Sequence, residues 1–254
     1  MIIAIASQKG GTGKTSTSIS LAAGLARRGK KVLLLDVDSQ ANSSKVLLPD
    51  YQIIGKEETI YETIINCNPL PIRATSVPHL DIAPSHILLA DTDVELTTAI
   101  DHREARLRNE LDKVRARYDY VFIDCPPALS WLTVNAFTAA DGIIVVVSPG
   151  YFELDSLMQI NRTLQKVQRF FKPDLKLKGY LFTMSDSTKN SGISLQILRQ
   201  TYTTQVFNTI IPRNTDLRDA HMNKKDIFSY APTSSAGQAY ARLIDELFYY
   251  EKAV

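Results

Sequence analysis

Cysteine is scarce in this chain, with only Cys67 and Cys125 among 254 residues. That excludes a disulfide framework and points to a reducing compartment. Long apolar runs are missing too. No stretch approaches the roughly 20 residues a membrane helix needs, and the start, Met1-Ile2-Ile3-Ala4, lacks the basic segment that opens a secretory signal. There is no internal repeat, low-complexity tract or convincing linker, so the sequence predicts one domain over 1–254 with a sizeable core. Nor is charge of either sign in excess overall, with 29 Lys and Arg against 27 Asp and Glu. The distribution is less even. Residues 1–159 carry 15 basic against 19 acidic side chains, and residues 160–254 carry 14 against 8. The second figure permits a basic face in the C-terminal third; a solvated surface with uneven charge fits it equally well.

What is present is concentrated near the start. An apolar β-like run, Ile2 to Ala6, leads into Ser7-Gln8-Lys9-Gly10-Gly11-Thr12-Gly13-Lys14-Thr15-Ser16. Helical apolar spacing follows at Ile19, Leu21-Ala22 and Leu25-Ala26, and Gly29 stops it. Strand, glycine loop and helix together make a P-loop. Its backbone N–H groups and the helix N-terminus cradle phosphates. Lys14 would reach the β- and γ-phosphates, and the Thr15 hydroxyl would ligate Mg²⁺. One departure is that the usual spacing puts a glycine at position 8, where this chain has Gln8, followed by a second lysine, Lys9. An ordinary glycine-rich turn explains neither lysine nor the threonine.

Two further strands deliver acids to the same end of a sheet. Val32-Leu33-Leu34-Leu35-Asp36 reads as a buried parallel strand and runs into Val37-Asp38-Ser39-Gln40-Ala41-Asn42. Tyr118 to Asp124 reads as a Walker B strand whose terminal Asp124 binds Mg²⁺ directly or through its water, and Pro126-Pro127 then turn the chain away. Between them the pattern predicts a helix over 56–66, a short strand at Leu80–Ala83, and one or two solvated helices over about 88–117. Beyond Asp124 it predicts a helix near Trp131–Ala139, a strand from Gly142 to Ser148, and a helix from Glu153 to Phe170 with Leu154, Leu157, Ile160 and Leu164 inward. A strand at Leu177–Thr183, a helix at Ile193–Tyr202, a strand at Gln205–Ile211 and a terminal helix at Ser235–Tyr250 complete the chain. The alternation implies an α/β fold: a mostly parallel, twisted sheet with helices on both faces.

Lys9-Gly10-Gly11-Thr12-Gly13-Lys14-Thr15 resembles the deviant Walker A motif, K-G-G-x-G-K-T, of the ParA/MinD ATPases. The segments at 33–42, 121–127 and 209–214 match further motifs in the same order. The resemblance implies an ATP- and Mg²⁺-dependent ATP hydrolase whose two subunits sandwich ATP. By the same resemblance Lys9 would cross to the partner's nucleotide, Gly10 to Ser16 would hold the phosphates, and Ser16 would touch the α-phosphate. Asp38 would orient the attacking water, Thr15 and Asp124 would serve the metal, and Pro212, Arg213 and Asn214 would border the adenine. For Asp36 a structural strand-end role is preferred. The chain departs from its relatives at Ser39, where proline is usual, and at Ser148-Pro149-Gly150-Tyr151-Phe152, which is shorter. It also has Asp216 where many chromosomal members are basic.

The family divides by what the ATP-bound dimer binds. The last helix has an apolar stripe (Ala236, Tyr240, Leu243-Ile244, Leu247), but its charges are Arg242 and Lys252 against Asp245, Glu246 and Glu251. A membrane-surface helix needs a basic polar face, so core packing is expected and no membrane partner. No extension precedes the first strand to carry a separate DNA-binding domain. The implied protein is a short, Soj-like ParA partition ATPase, cytoplasmic and nucleoid-associated with ATP. It would bind double-stranded DNA without sequence preference, through Lys189, Arg199, Arg218, Lys224 and Lys225, and move a cargo through a ParB-like or other adaptor. A MinD-like positioning ATPase is the alternative. A switch without appreciable hydrolysis also stays open, and a nitrogenase-reductase-like relative would need paired cysteines that Cys67 and Cys125 do not form.

Overall fold

Apolar side chains at successive strand positions must be covered on both faces of a sheet, and the computed structural model, which describes residues 1–150 and 153–249, covers both. Strands β1 (Ile2–Ala6), β2 (Val32–Asp36), β3 (Arg73–Ala74), β4 (Leu80–Ala83), β5 (Tyr120–Asp124), β6 (Gly142–Val147) and β7 (Lys176–Phe182) form one sheet ordered β3-β4-β2-β5-β1-β6-β7. Every pair is parallel except the short β3 against β4. In chain order the helices are α1 (Lys14–Arg27), α2 (Asn42–Leu47), α3 (Ile60–Asn66), α4 (Thr92–Thr98), α5 (Arg106–Asp112) and α6 (Trp131–Ala139). They continue with α7 (Glu153–Phe170), α8 (Lys189–Tyr202), α9 (Thr215–Met222), α10 (Ile227–Tyr230) and α11 (Ser235–Tyr249).

The period of 2 in β1 divides the core. Ile2, Ala4 and Ala6 pack with α3 to α8 on one face, while Ile3 and Ile5 pack with α1, α2, α10 and α11 on the other. On this second face α1 and α11 approach closely at Gly24, where an added Cβ would lie 2.3 Å from Ile244 Cδ1 and 2.8 Å from the Phe228 ring. The stripe on α11 is therefore core: Ala236, Ala239, Tyr240, Leu243 and Ile244 are buried, and Leu247 and Phe248 pack against them. Among the described residues no helix is long and apolar enough to cross a membrane.

Several elements differ from the sequence expectation. The segment 205–211 is not a strand. It follows the β7 edge through isolated bridges, Tyr180 to Val206 and Ser185 to Pro212. Between them the Asn208 and Thr209 N–H groups donate to the Glu246 carboxylate, at 2.6 and 2.8 Å, so a side chain takes the donors a ladder would need. The helix expected over 56–66 is a 3₁₀ turn at Lys56–Glu58 followed by α3, which is tied to the sheet by Ile60 N–H donating to Pro84 O at 2.8 Å. The charged segment 88–117, expected to hold one or two helices, holds two, α4 and α5; Arg103 folds back onto the Leu96 carbonyl (3.1 Å) and the Thr97 carbonyl and closes the end of α4. Helices α2, α9 and α10 had no expectation, and α8 begins earlier, at Lys189, where Thr188 caps it. Of the inward stripe on α7, Leu157, Ile160 and Leu164 are buried. The Leu154 side chain, residues Tyr151 and Phe152, and the end of the chain from Tyr250, with Glu251 and Lys252, lie outside the described residues.

Candidate functional site

In a parallel sheet the strand C-termini open onto a shared crevice. The carboxyl ends of β1, β2 and β5 meet there because β1 and β2 flank β5 in register, Ile5 opposite Asp124 and Asp36 opposite Asp124. The loop after β1 turns through Gly11 (φ 75°) and Gly13 (φ 88°), left-handed values that disfavour any residue with a Cβ. Nothing stands within 4 Å of a Cβ placed on Gly10 or Gly11, so the loop's crest is open. Thr12 is buried, and its carbonyl accepts from Thr183 Oγ1 at 2.7 Å, anchoring the loop to the end of β7. Lys14 is buried beneath the loop with its Nζ donating to the Lys9 carbonyl at 3.4 Å, and Lys9 itself is exposed. Gln8, at the position where a glycine is usual, hydrogen-bonds Gln159 of α7 through its amide.

The three acids are brought together but held differently. Asp36 is fully buried; its carboxylate accepts from Ser44 N at 2.8 Å, Ser44 Oγ at 2.7 Å and Asp38 N at 3.3 Å. Those bonds tie α2 to β2, a structural role. Asp124, also buried, accepts from Ser43 Oγ at 2.7 Å and Ser18 Oγ at 3.1 Å, with Thr15 a further side-chain partner. Burial pushes both carboxyls up from the ordinary range, and at Asp36 the neighbouring Asp124 adds to the shift; at Asp124 the Ser43 and Thr15 hydroxyls and Lys14 oppose it. Asp38 has its main chain pinned, its carbonyl accepting from Ser85 Oγ at 2.6 Å. Its carboxylate accepts from Gln40 N at 3.0 Å.

The donor set fits Mg²⁺. Thr15 and Asp124 offer hard oxygen ligands in a site with more buried carboxylates than cations. Among the described residues no cluster of His, Cys, Asp or Glu makes a complete metal cage. Mg²⁺ needs none, since it keeps waters and takes most ligands from phosphates.

A groove of about 970 Å³ runs from Gly13, Thr15 and Ser16 to Pro212, Arg213 and Asn214, so the glycine loop and the last motif border one cavity. Asn42, Lys45 and Val46 of α2 and Leu217 and His221 of α9 line it as well, residues the sequence reading passed over. Asn214 caps α9, its Oδ1 accepting from Asp216 N at 2.6 Å, while Arg213 N donates to Ser185 O at 2.8 Å. Ser18, Ser43 and Ser44, which hold the acids, were also missed. The signal available was the pair of hydroxyls directly after the Asp36–Asn42 segment.

The five expected DNA contacts do not share one element. Arg218 and Lys224 line the groove; Arg218 lies 3.5 Å from Asp219, and Lys224 Nζ donates to Pro49 O at 3.0 Å. Lys189 and Arg199 are exposed on α8, and Lys225 is exposed after α9.

Residues 1–177 match the family model described as an AAA domain. The chain is 39% identical over 249 residues to the sporulation initiation inhibitor protein Soj of Bacillus subtilis, covering 97% of each. It is 39% identical over 252 residues to the chromosome partitioning protein ParA of Myxococcus xanthus, covering 97% of this chain and 87% of that one. Among solved structures, cobyrinic acid a,c-diamide synthase from Mycobacterium smegmatis with bound ADP and magnesium superposes with a TM-score of 0.83 at 31% identity, covering 99% of this chain and 95% of that one.

Proposed function

Because the chain belongs to the ParA/Soj family of partition ATPases, we propose that it hydrolyses ATP with Mg²⁺ as the timer of a DNA-positioning cycle. The observation that carries this reading is the convergence of buried Lys14, Asp38 and Asp124 below the phosphate loop, whose Gly13, Thr15 and Ser16 open onto the groove that ends at Pro212–Asn214. The loop N–H groups, Lys14 and Ser16 bind the phosphates, and Pro212, Arg213 and Asn214 border the base. Lys9 reaches across to the nucleotide of a second copy, so two subunits close on two ATP molecules. Asp38 orients the attacking water, its backbone fixed by Ser85 and its carboxylate by the Gln40 N–H. Thr15 and Asp124 would hold Mg²⁺, which would neutralise charge on the phosphates. Positioning and charge stabilisation are the catalysis such a site needs.

In this reading residues 1–254 act as one cytoplasmic ATPase unit. The ATP-bound dimer holds double-stranded DNA without sequence preference, and an adaptor of the ParB kind raises hydrolysis and releases it. The resulting gradient moves a cargo attached to the adaptor. The test combines light scattering for ATP-driven dimerisation with gel shifts on random-sequence duplex DNA in ATP, ADP and no nucleotide. Dimerisation and DNA binding with ATP alone are expected. Equal DNA binding in all three states refutes the switch, and binding to anionic liposomes in place of DNA transfers the protein to the MinD-like branch.

A further inference from the structure

Resting on the DNA-binding reading above, we propose that the DNA-facing surface is the basic strip formed by α7, the turn after it and the start of β7: Arg162, Lys166, Arg169, Lys172, Lys176 and Lys178. Over 162–178 these six cations face one acid, Asp174. Much of the basic surplus of the C-terminal third therefore comes from one contiguous segment, not from the loops around Pro212.

The fold arranges the segment as a ridge. Arg162, Lys166 and Arg169 recur at i, i+4 and i+7 on the exposed side of α7, a span of about 10 Å at 1.5 Å per residue. The opposite side of the helix, Leu157, Ile160, Leu164 and Val167, is buried against the sheet and fixes which side faces out. Lys176 and Lys178 are both exposed at the start of β7, the edge strand of the sheet, where a bulge interrupts the pairing with β6 between Ile143 and Ile144. Phe170, 64% exposed, stacks under the Arg169 guanidinium at 5.2 Å.

The strip differs from the last motif in its charge balance, since over 213–226 the cations Arg213, Arg218, Lys224 and Lys225 are interleaved with Asp216, Asp219 and Asp226. None of the six has an ion-pair partner among the described residues. An unpaired cation can neutralise a phosphate and release its counterion without breaking an internal bond. Arg218 and Lys224, by contrast, already hold Asp219 and the Pro49 carbonyl and border the nucleotide groove. Location favours the strip too. The start of β7 is the end of that strand remote from Thr183, which touches the P-loop, so DNA laid there leaves the groove clear. A membrane is the poorer match for these charges. A helix lying on lipid needs a free apolar face, and that of α7 is used by the core.

Two independent variants test this, Arg162→Gln/Lys166→Gln/Arg169→Gln and Lys176→Gln/Lys178→Gln, with Lys189→Gln/Arg199→Gln/Lys225→Gln as the comparison. ATP-state affinity for random-sequence duplex DNA is measured from 50 to 200 mM salt, beside ATP-driven dimerisation and thermal midpoint. Each strip variant should keep its dimerisation and midpoint but lose DNA affinity. Its fall in affinity over that salt range should shrink by about 3.5-fold for every phosphate contact removed, since each contributes about 0.9 to the log–log slope. The comparison variant should keep the wild-type slope. Wild-type slopes in both strip variants, with loss in the comparison, overturn the surface assignment and leave the function standing. Loss of binding to phosphatidylglycerol vesicles with unchanged DNA binding also overturns it, in favour of a lipid surface. If the unaltered protein binds no DNA in any nucleotide state, the functional reading fails and the strip with it.

Discussion

Replacing Asp36 and Asp38 one at a time separates folding from catalysis within three residues. In Asp38→Ala the lost carboxylate interaction is that with the Gln40 N–H, a donor on an exposed residue that water can satisfy. The charge removed also repels both neighbours, since Asp38 contributes to the upward shift of Asp36 and of Asp124. The thermal midpoint should therefore move by no more than about 2 °C, while turnover falls at least ~100-fold because the water loses its orienting group. Bound ATP should then persist and hold the dimer together. In Asp36→Ala the buried N–H groups of Ser44 and Asp38 lose their acceptor. Each costs about 1–3 kcal/mol; relief of repulsion with Asp124 offsets part, leaving about 2–4 kcal/mol. At about 2–4 °C per kcal/mol for a chain of this size, the midpoint drops by roughly 4–16 °C. The assays are differential scanning fluorimetry without nucleotide and phosphate release with saturating ATP. An Asp38→Ala protein with wild-type turnover, or an Asp36→Ala protein with wild-type stability, refutes the division of roles.

Lys14→Ala should abolish nucleotide binding, because Lys14 is the buried cation beneath the phosphate loop. Lys9→Ala should retain ADP binding by calorimetry yet fail to dimerise with ATP in light scattering; normal dimerisation would remove Lys9 from the interface. Glu246→Ala frees the Asn208 and Thr209 N–H groups. Water can take the exposed Asn208 N–H, so the cost should be about 0.5–1.5 kcal/mol, or roughly 1–6 °C, and the KM for ATP should rise as the approach to Pro212–Asn214 loosens. His221 in the groove wall has its pKa lowered by burial. The unfolded chain therefore binds the proton more readily, and stability should be lost as pH falls from about 6.5 toward the folded-state value. His221→Gln should flatten that part of a midpoint-against-pH curve, and an unchanged curve would assign the acid sensitivity elsewhere.

Much of the site was legible because phosphate binding imposes local chemistry. Glycines where φ is positive, a lysine and a hydroxyl at fixed offsets, and acids at the ends of apolar strands are all features of short windows of chain. The P-loop and Asp124 could be named from such windows, while Asp38 and the Pro212–Asn214 segment came through the resemblance to the family; the groove borders both the P-loop and that last segment. The hydroxyls that hold the acids were less visible. Ser18 and Ser43 reach Asp124 from 106 and 81 residues away, and no local pattern records that approach.

What the sequence determined by itself was the class of fold, the places of its principal strands along the chain and the chemistry of the phosphate end. Each follows from hydrophobic period, strand length and backbone freedom, which are properties of neighbouring residues. Tertiary structure decided the rest. It made 205–211 an edge segment and not a strand, because a carboxylate on α11 took its donors. It turned the α11 stripe inward onto Gly24 and the sheet, removing the face a membrane helix would need. It also sorted the basic residues, drawing Arg218 and Lys224 to the groove and leaving the α7 and β7 cations without acid partners among the described residues. A charge count adds such residues together; whether a cation is available depends on which side chain the fold sets beside it.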